Sequence, residues 1–98
     1  MKIRILSSAL GDLKNGGKFY EEQGQGLGQY FQDSLFSDID CLALYGGIQA
    51  IKRGYHRMLS KRFPYAIYYR MNGQVAEVWR VLDCRQHPDK IRRALEKT

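Results

Sequence analysis

Lys52, Arg53, His56, Arg57, Lys61 and Arg62 fall within eleven residues that contain no acid, and Arg80, Arg85 and His87 stand at or beyond the end of the last apolar run. Guanidinium and ammonium groups gathered on one surface attract phosphates and release counterions on binding them. Two chemistries are open to such a set. In the first, arginine and lysine stabilise the extra charge of a pentavalent phosphate transition state while a histidine or tyrosine moves a proton to or from a ribose hydroxyl, which is endoribonuclease chemistry. In the second, the cations bind a polyanion and nothing reacts. His56 and His87 also have plainer roles available, at the surface or as helix caps, because neither has a partner identifiable in sequence.

The charge distribution sharpens this reading. Of the net +6, residues 1–50 contribute −2 (four Lys/Arg against six Asp/Glu) and residues 51–98 contribute +8 (twelve against four). A basic half of this kind suits a polyanion or an acidic protein segment that covers it; a solubilising surface is the plainer alternative. The 98 residues, 44% of them hydrophobic, predict one compact domain over 1–98. A domain of this size buries roughly 60–70% of its surface, so a tight partner can add much to its stability. The opening MKIRILSSALGDLKN has no signal-peptide core, and no run approaches the ~20 apolar residues of a membrane span, so a cytoplasmic chain without membrane association is expected. Cys41 and Cys84 lie far apart without CxxC spacing, which predicts reduced thiols and no metal site. No cofactor is expected either. The chain has no GxxxxGK[ST], GxSxG or HExxH, and GQGLG at 24–28 joins two helices instead of following a strand.

These residues need a scaffold, and periodicity supplies one. Lys2 to Leu6 alternates polar and apolar as a short strand does. Ser7 or Ser8 is a candidate N-cap for a first helix with Asp12 in its early turns, and Leu10, Leu13, Gly17 and Tyr20 form its apolar stripe. A second helix carries Leu27, Phe31, Leu35, Ile39 and Leu42 until Gly46-Gly47, and the short connection predicts an antiparallel helix hairpin. A strand from Tyr55 to Lys61 follows, and Asn72-Gly73 then predicts a type I′ hairpin turn. In that register residues whose numbers sum to 145 face each other. Tyr65, Ile67, Tyr69, Ala76 and Val78, with Arg80 near the open end, would pack on the helices; Ala66, Tyr68, Arg70, Val75, Glu77 and Trp79 would form a second, partly exposed face. Tyr68 or Trp79 would there offer a stacking platform to a nucleic acid. Pro88 opens a short last helix with Ile91, Ala94 and Leu95 on one stripe. The fold class is α+β: an N-terminal strand, a two-helix hairpin, a three-stranded antiparallel C-terminal sheet and a C-terminal helix.

The stretch GYHRMLSKRFPYAIYYRMNGQVAEVWRVLDCRQHP, together with DL and FYEEQ of the first helix, resembles the RelE/ParE superfamily of type II toxin-antitoxin toxins, the plasmid-stabilisation group. The resemblance spans nearly the whole chain and implies a single toxin domain that inhibits bacterial growth. It also implies neutralisation by a cognate antitoxin, and leaves room for a higher toxin-antitoxin hetero-oligomer. The family contains RelE-like members that cut messenger RNA on the ribosome and ParE-like members that inhibit DNA gyrase. Arg57 and Arg85 match two nuclease positions, with His87 a partial substitute for an acid or base; Arg53, His56, Lys61, Arg62 and Arg80 would then contact target or nucleic acid. Other positions depart from the nuclease pattern: Leu59 replaces a common lysine, Ala66 replaces an arginine, and Ile91 stands where a catalytic tyrosine would be. The resemblance therefore leans towards the ParE-like or an unassigned branch. A RelE-like nuclease and a non-toxic basic nucleic-acid-binding module remain as alternatives.

Overall fold

A computed structural model describes all of residues 1–98. Its elements in chain order are β1 (Lys2–Ile5), α1 (Ser7–Gln23), α2 (Leu27–Asp40), a single turn α3 (Leu42–Tyr45), β2 (Ile51–Lys52), β3 (Tyr55–Leu59), β4 (Tyr65–Asn72), β5 (Val75–Asp83) and α4 (Pro88–Glu96). The strands form one sheet in the order β1-β5-β4-β3-β2, antiparallel except where β1 runs parallel to β5. The three expected antiparallel strands are thus the centre of a five-stranded sheet. No helix is long and apolar enough to cross a membrane.

The α1/α2 hairpin covers one face of the sheet. Ala9 and Leu13 of α1, Phe31, Leu35 and Ile39 of α2, and Leu42 pack on Tyr65, Ile67, Tyr69, Ala76, Val78 and Val81, all buried. Leu10 and Leu27, both assigned to apolar stripes, are exposed at the ends of theirs. Neither Ser7 nor Ser8 caps α1; Leu6 occupies the cap position and Ser8 Oγ donates instead to Trp79 O at 2.5 Å. The two helices approach through glycine. A Cβ on Gly28 would stand 2.6 Å from the Gly17 carbonyl oxygen, closer than real contacts allow. Glu21 then closes the loop by accepting from Gly26 N at 3.1 Å and Gly28 N at 3.0 Å, donors that the first turn of α2 would otherwise leave unpaired.

The β4–β5 register differs from the expected one. Asn72 faces Val75, so Gly73 and Gln74 make the turn. Of these residues only Gly73 has positive φ, 59°, the pattern of a type II′ turn, which spares Asn72 the left-handed backbone of type I′. A type I′ pattern does occur one hairpin earlier, where Arg53 (φ 56°) and Gly54 (φ 82°) join β2 to β3. The turn at Gly73 moves every pairing by two residues, which preserves faces, so Tyr69, Ala76 and Val78 keep their predicted side. At Trp79 a bulge adds one more residue: Tyr69 faces Val78 while Tyr68 faces Arg80. Beyond it the faces exchange. Val81 turns to the α1/α2 side, and Arg80 leaves that side to lie opposite Tyr68.

The second face is less exposed than expected. Tyr55, Ala66, Tyr68 and Leu82 form a small core with Leu95 of α4, flanked by Trp79, Cys84, Ile91 and Ala94. Helix α4 is well specified locally, with Pro88 at its start, His87 as its cap, Asp89 in the first turn and Arg93 in the last.

Gly28→Ala tests the helix contact. The added methyl group meets the Gly17 carbonyl oxygen at 2.6 Å and the Glu21 side chain at 3.0 Å, so a loss of about 1–3 kcal/mol is expected in urea unfolding, against no loss for Gly11→Ala, which meets no atom within 4 Å.

Candidate functional site

The cations do not converge on one rim. Arg57 points from β3 to the α4 side of the sheet, where its Nε donates to the Tyr68 hydroxyl at 3.3 Å and a terminal nitrogen lies 3.5 Å from Cys84 Sγ. The hydrogen bond to Tyr68 raises the guanidinium pKa further. Around this pair lies a cleft of about 370 Å³ lined by Lys52, Arg53, Arg57, Tyr68, Cys84 and Arg92, with Asp89 as its carboxylate. Nearby, the Arg70 guanidinium sits 4.1 Å above the Tyr55 ring and 4.8 Å from that of Trp79, while its Nε donates to Gly54 O at 3.1 Å. Cys84, Arg70 and Arg92 are members of this neighbourhood that the sequence did not single out as site residues, and Tyr68 was expected there only as a stacking platform. Alternation along β4 puts Tyr68 and Arg70 on one face, but only the pairing of β3 with β4 brings Arg57 to it, and only the fold of α4 over the sheet adds Arg92.

Arg85 lies on the opposite side. It follows Asp83, to which it donates twice through its guanidinium, at 3.0 and 2.7 Å, and once through its backbone N–H at 2.8 Å. A fourth contact, 3.4 Å, reaches the hydroxyl of Tyr20 on α1. The same hydrogen bonds lower the Asp83 pKa and raise that of Arg85. Arg57 and Arg85, the two matches to a nuclease, therefore serve different faces of the sheet.

Neither histidine is poised for proton transfer. His56 is buried on the α1/α2 side, stacked on Tyr69 with ring centroids 4.9 Å apart and hydrogen-bonded through Nδ1 to Gln49 O. His87 Nδ1 accepts from Asp89 N at 3.1 Å, the capping role open to it from sequence. Lys61 and Arg62 are exposed in the loop before Pro64, which Asp38 Oδ2 anchors by accepting from Ser60 Oγ at 2.7 Å and Lys61 N at 3.2 Å.

Arg80 is fully engaged within the protein. It pairs with both carboxylate oxygens of Asp12 at 2.7 and 2.8 Å and donates to Ala94 O at 3.1 Å and Thr98 Oγ1 at 3.2 Å. Asp12 also accepts from Val81 N at 2.9 Å. This contact occupies the edge of β5 that β1 leaves open, because β1 pairs only with Val75 to Val78. Arg80 thus joins α1, β5 and the end of α4, and its pKa is raised by the Asp12 hydrogen bonds.

At the departures from the nuclease pattern, Ala66 is wholly buried beneath α4, Ile91 packs against the same small core, and Leu59 is exposed. The arrangement can hold an anion in the cleft around Arg57. It does not bring an imidazole to that cleft.

No family model matches the chain, and no curated protein matches it in sequence. Solved structures do match. A chain described as "Chromosomal ParDE TA system from P. aeruginosa" superposes with a TM-score of 0.72, covering 83% of this chain and 92% of that one at 17% identity. The chain has a ParE-like fold. The ParE-like fold accounts for the element order from β1 to α4, including the helix hairpin on one face and the C-terminal helix after the sheet.

Asp12→Ala leaves Arg80 and Val81 N–H without their acceptor in a half-buried setting, and should lower stability by about 3 kcal/mol in urea unfolding. Burial, with the Asp83 carboxylate near, pushes the Tyr65 phenol from 10.0 up to about 12. The folded state keeps this proton after the unfolded chain has lost it. Its stabilisation is therefore complete below pH 10 and disappears as pH rises to about 12. In Tyr65→Phe the slope of stability against pH in that window should be shallower.

Proposed function

We propose that this chain is the toxin of a type II toxin-antitoxin module, held in check by a cognate antitoxin, and that it acts on a protein target such as DNA gyrase. The ParE-like fold supports the module. The observation that carries the choice of target is the separation of Arg57 from Arg85: a phosphoryl-transfer site needs its charge-stabilising groups around one reacting phosphorus, and these two stand on opposite sides of the sheet. Burial of Ala66 and the apolar Ile91 weigh the same way. The +8 balance of residues 51–98 suits an acidic antitoxin segment, and such binding would take place in the bacterial cytoplasm.

The cleft around Arg57 and the Tyr68 hydroxyl favours a second reading, a RelE-like ribosome-dependent endoribonuclease whose proton carrier is a tyrosine. A stacking platform on a non-toxic nucleic-acid-binding module is less well supported, because Tyr68 is only 6% exposed.

Expression without an antitoxin should arrest bacterial growth. Purified protein should reduce gyrase-dependent supercoiling and leave messenger RNA intact on translating ribosomes. Ribosome-dependent cleavage that is lost in Arg57→Ala, with supercoiling unaffected, would replace this reading with the nuclease.

A further inference from the structure

A second cleft lies between α1 and the edge of β5 that β1 leaves open. It holds about 440 Å³, the size of a small-molecule site, and is lined by Asn15, Gly16 and Phe19 of α1, by Tyr65 and Asp83, and by Lys90 of α4. Tyr65 sets its chemistry. The residue is only 7% exposed, and its hydroxyl makes no hydrogen bond within the protein. The one unpartnered side-chain group that is completely sealed is Trp79 Nε1, so the Tyr65 hydroxyl still meets the cleft. Gly16 keeps that approach open, because a side chain there would stand 3.4 Å from the hydroxyl after colliding with Phe31 at 2.6 Å. A buried phenol of this kind gives its proton to an acceptor from outside the chain. Burial holds its pKa at about 12, so it remains a neutral donor at any ordinary pH.

A backbone donor lies beside it. Val81 N–H faces the open edge of β5, where Asp12 accepts it at 2.9 Å, and Asp83, two residues on, faces the same edge by strand alternation. The Asp83 carbonyl there accepts from Gln86 N at 3.3 Å, whereas its N–H has no acceptor. Tyr65 and Asp83 are cross-strand partners, so the two free donors belong to adjoining residues.

The charges of the cleft cancel in pairs. Asp12 is held by Arg80 and Asp83 by Arg85, which leaves the exposed Lys90 ammonium, without an ion pair, as the surplus. A phosphate, with a charge of about −1.5 to −2, would exceed that single cation. A carboxylate has one charge and two oxygens, and an apolar group attached to it has the Phe19 ring, 46% exposed, to lie on. We propose that this cleft binds a small organic carboxylate, whose oxygens take the Tyr65 hydroxyl and the Asp83 N–H beside the Lys90 ammonium and whose apolar body rests on Phe19. The site lies apart from the cleft around Arg57, and the inference stands independently of the toxin reading.

Ring-proton NMR titration of the full chain tests it with phenylacetate, its neutral isostere phenylacetamide, and inorganic phosphate. Phenylacetate should shift the Tyr65 and Phe19 resonances saturably, and the other two should not. Tyr65→Phe removes one oxygen that bonds to nothing in the chain, so the fold is kept, and binding read at Phe19 should weaken about tenfold. Lys90→Gln should weaken it by about threefold. Lys14→Gln, the same loss of charge on a different groove of α1, should leave it unchanged. Undiminished binding in Tyr65→Phe, equal binding of phenylacetamide or phosphate, or no saturable shift would overturn the proposal. Tighter binding of acetyl-Gly-Gly-Phe than of phenylacetate would assign the cleft to a peptide C-terminus and overturn it as a small-molecule site.

Discussion

The bulge at Trp79 is the constraint on which the arrangement of this protein depends. Without it β5 would keep one face towards the helices along its whole length, and Arg80 would enter the α1/α2 core beside Val78. One additional residue instead turns Val81 inwards and sends Arg80 and Leu82 to the other side. The bulge coincides with the point where β1 ends, so β5 would there show an unpaired edge. Asp12 closes that edge by accepting from Val81 N, and the same carboxylate holds Arg80. A single acid on α1 therefore satisfies both the backbone donor and the side chain that the bulge redirects.

From this follows the division of the basic half. Once the sheet has two covered faces, the cations of β3, β4 and β5 must go to one side or the other or remain at the ends. Arg57 and Arg70 go to the α4 side, Arg85 is drawn to the α1 side by Asp83 and Tyr20, and Arg80 is enclosed between them. A charge density that is continuous in sequence becomes several separate environments in space. In the cleft around Arg57, Lys52, Arg53 and Arg57 gather without an ion pair of their own, and Tyr68 and Cys84 give it polar groups without an imidazole.

Helix α4 has a different role from the α1/α2 hairpin. The hairpin is tied to the sheet by most of the large buried side chains, whereas α4 adds one buried residue, Leu95, worth about 1.5–3 kcal/mol, and the partly buried Ile91 and Ala94. Polar contacts supplement these: the Tyr55 hydroxyl donates to Leu95 O at 3.3 Å and Arg80 to Ala94 O. Arg80, at the junction, links the strongly held layer to the weakly held one.

Much of this was determined by sequence alone. Apolar period, glycine punctuation and the Pro88 start specify the main elements and their order, though not the turn α3 or the two-residue β2, because each depends on a few neighbouring residues. The same patterns assigned Tyr65, Ile67, Tyr69, Ala76 and Val78 to the correct face, since a shift of two residues leaves alternation unchanged. Only the tertiary structure decided the rest. A bulge has no local signature here, yet it reversed the side of Arg80 and with it the expected grouping of cations. His56, expected to contact target or nucleic acid or to lie at the surface, is instead held by Tyr69 and Gln49, partners thirteen and seven residues away that only folding brings together. A side chain's neighbours across a sheet depend on register and on which helix covers it, and these are settled by the packing of the whole chain.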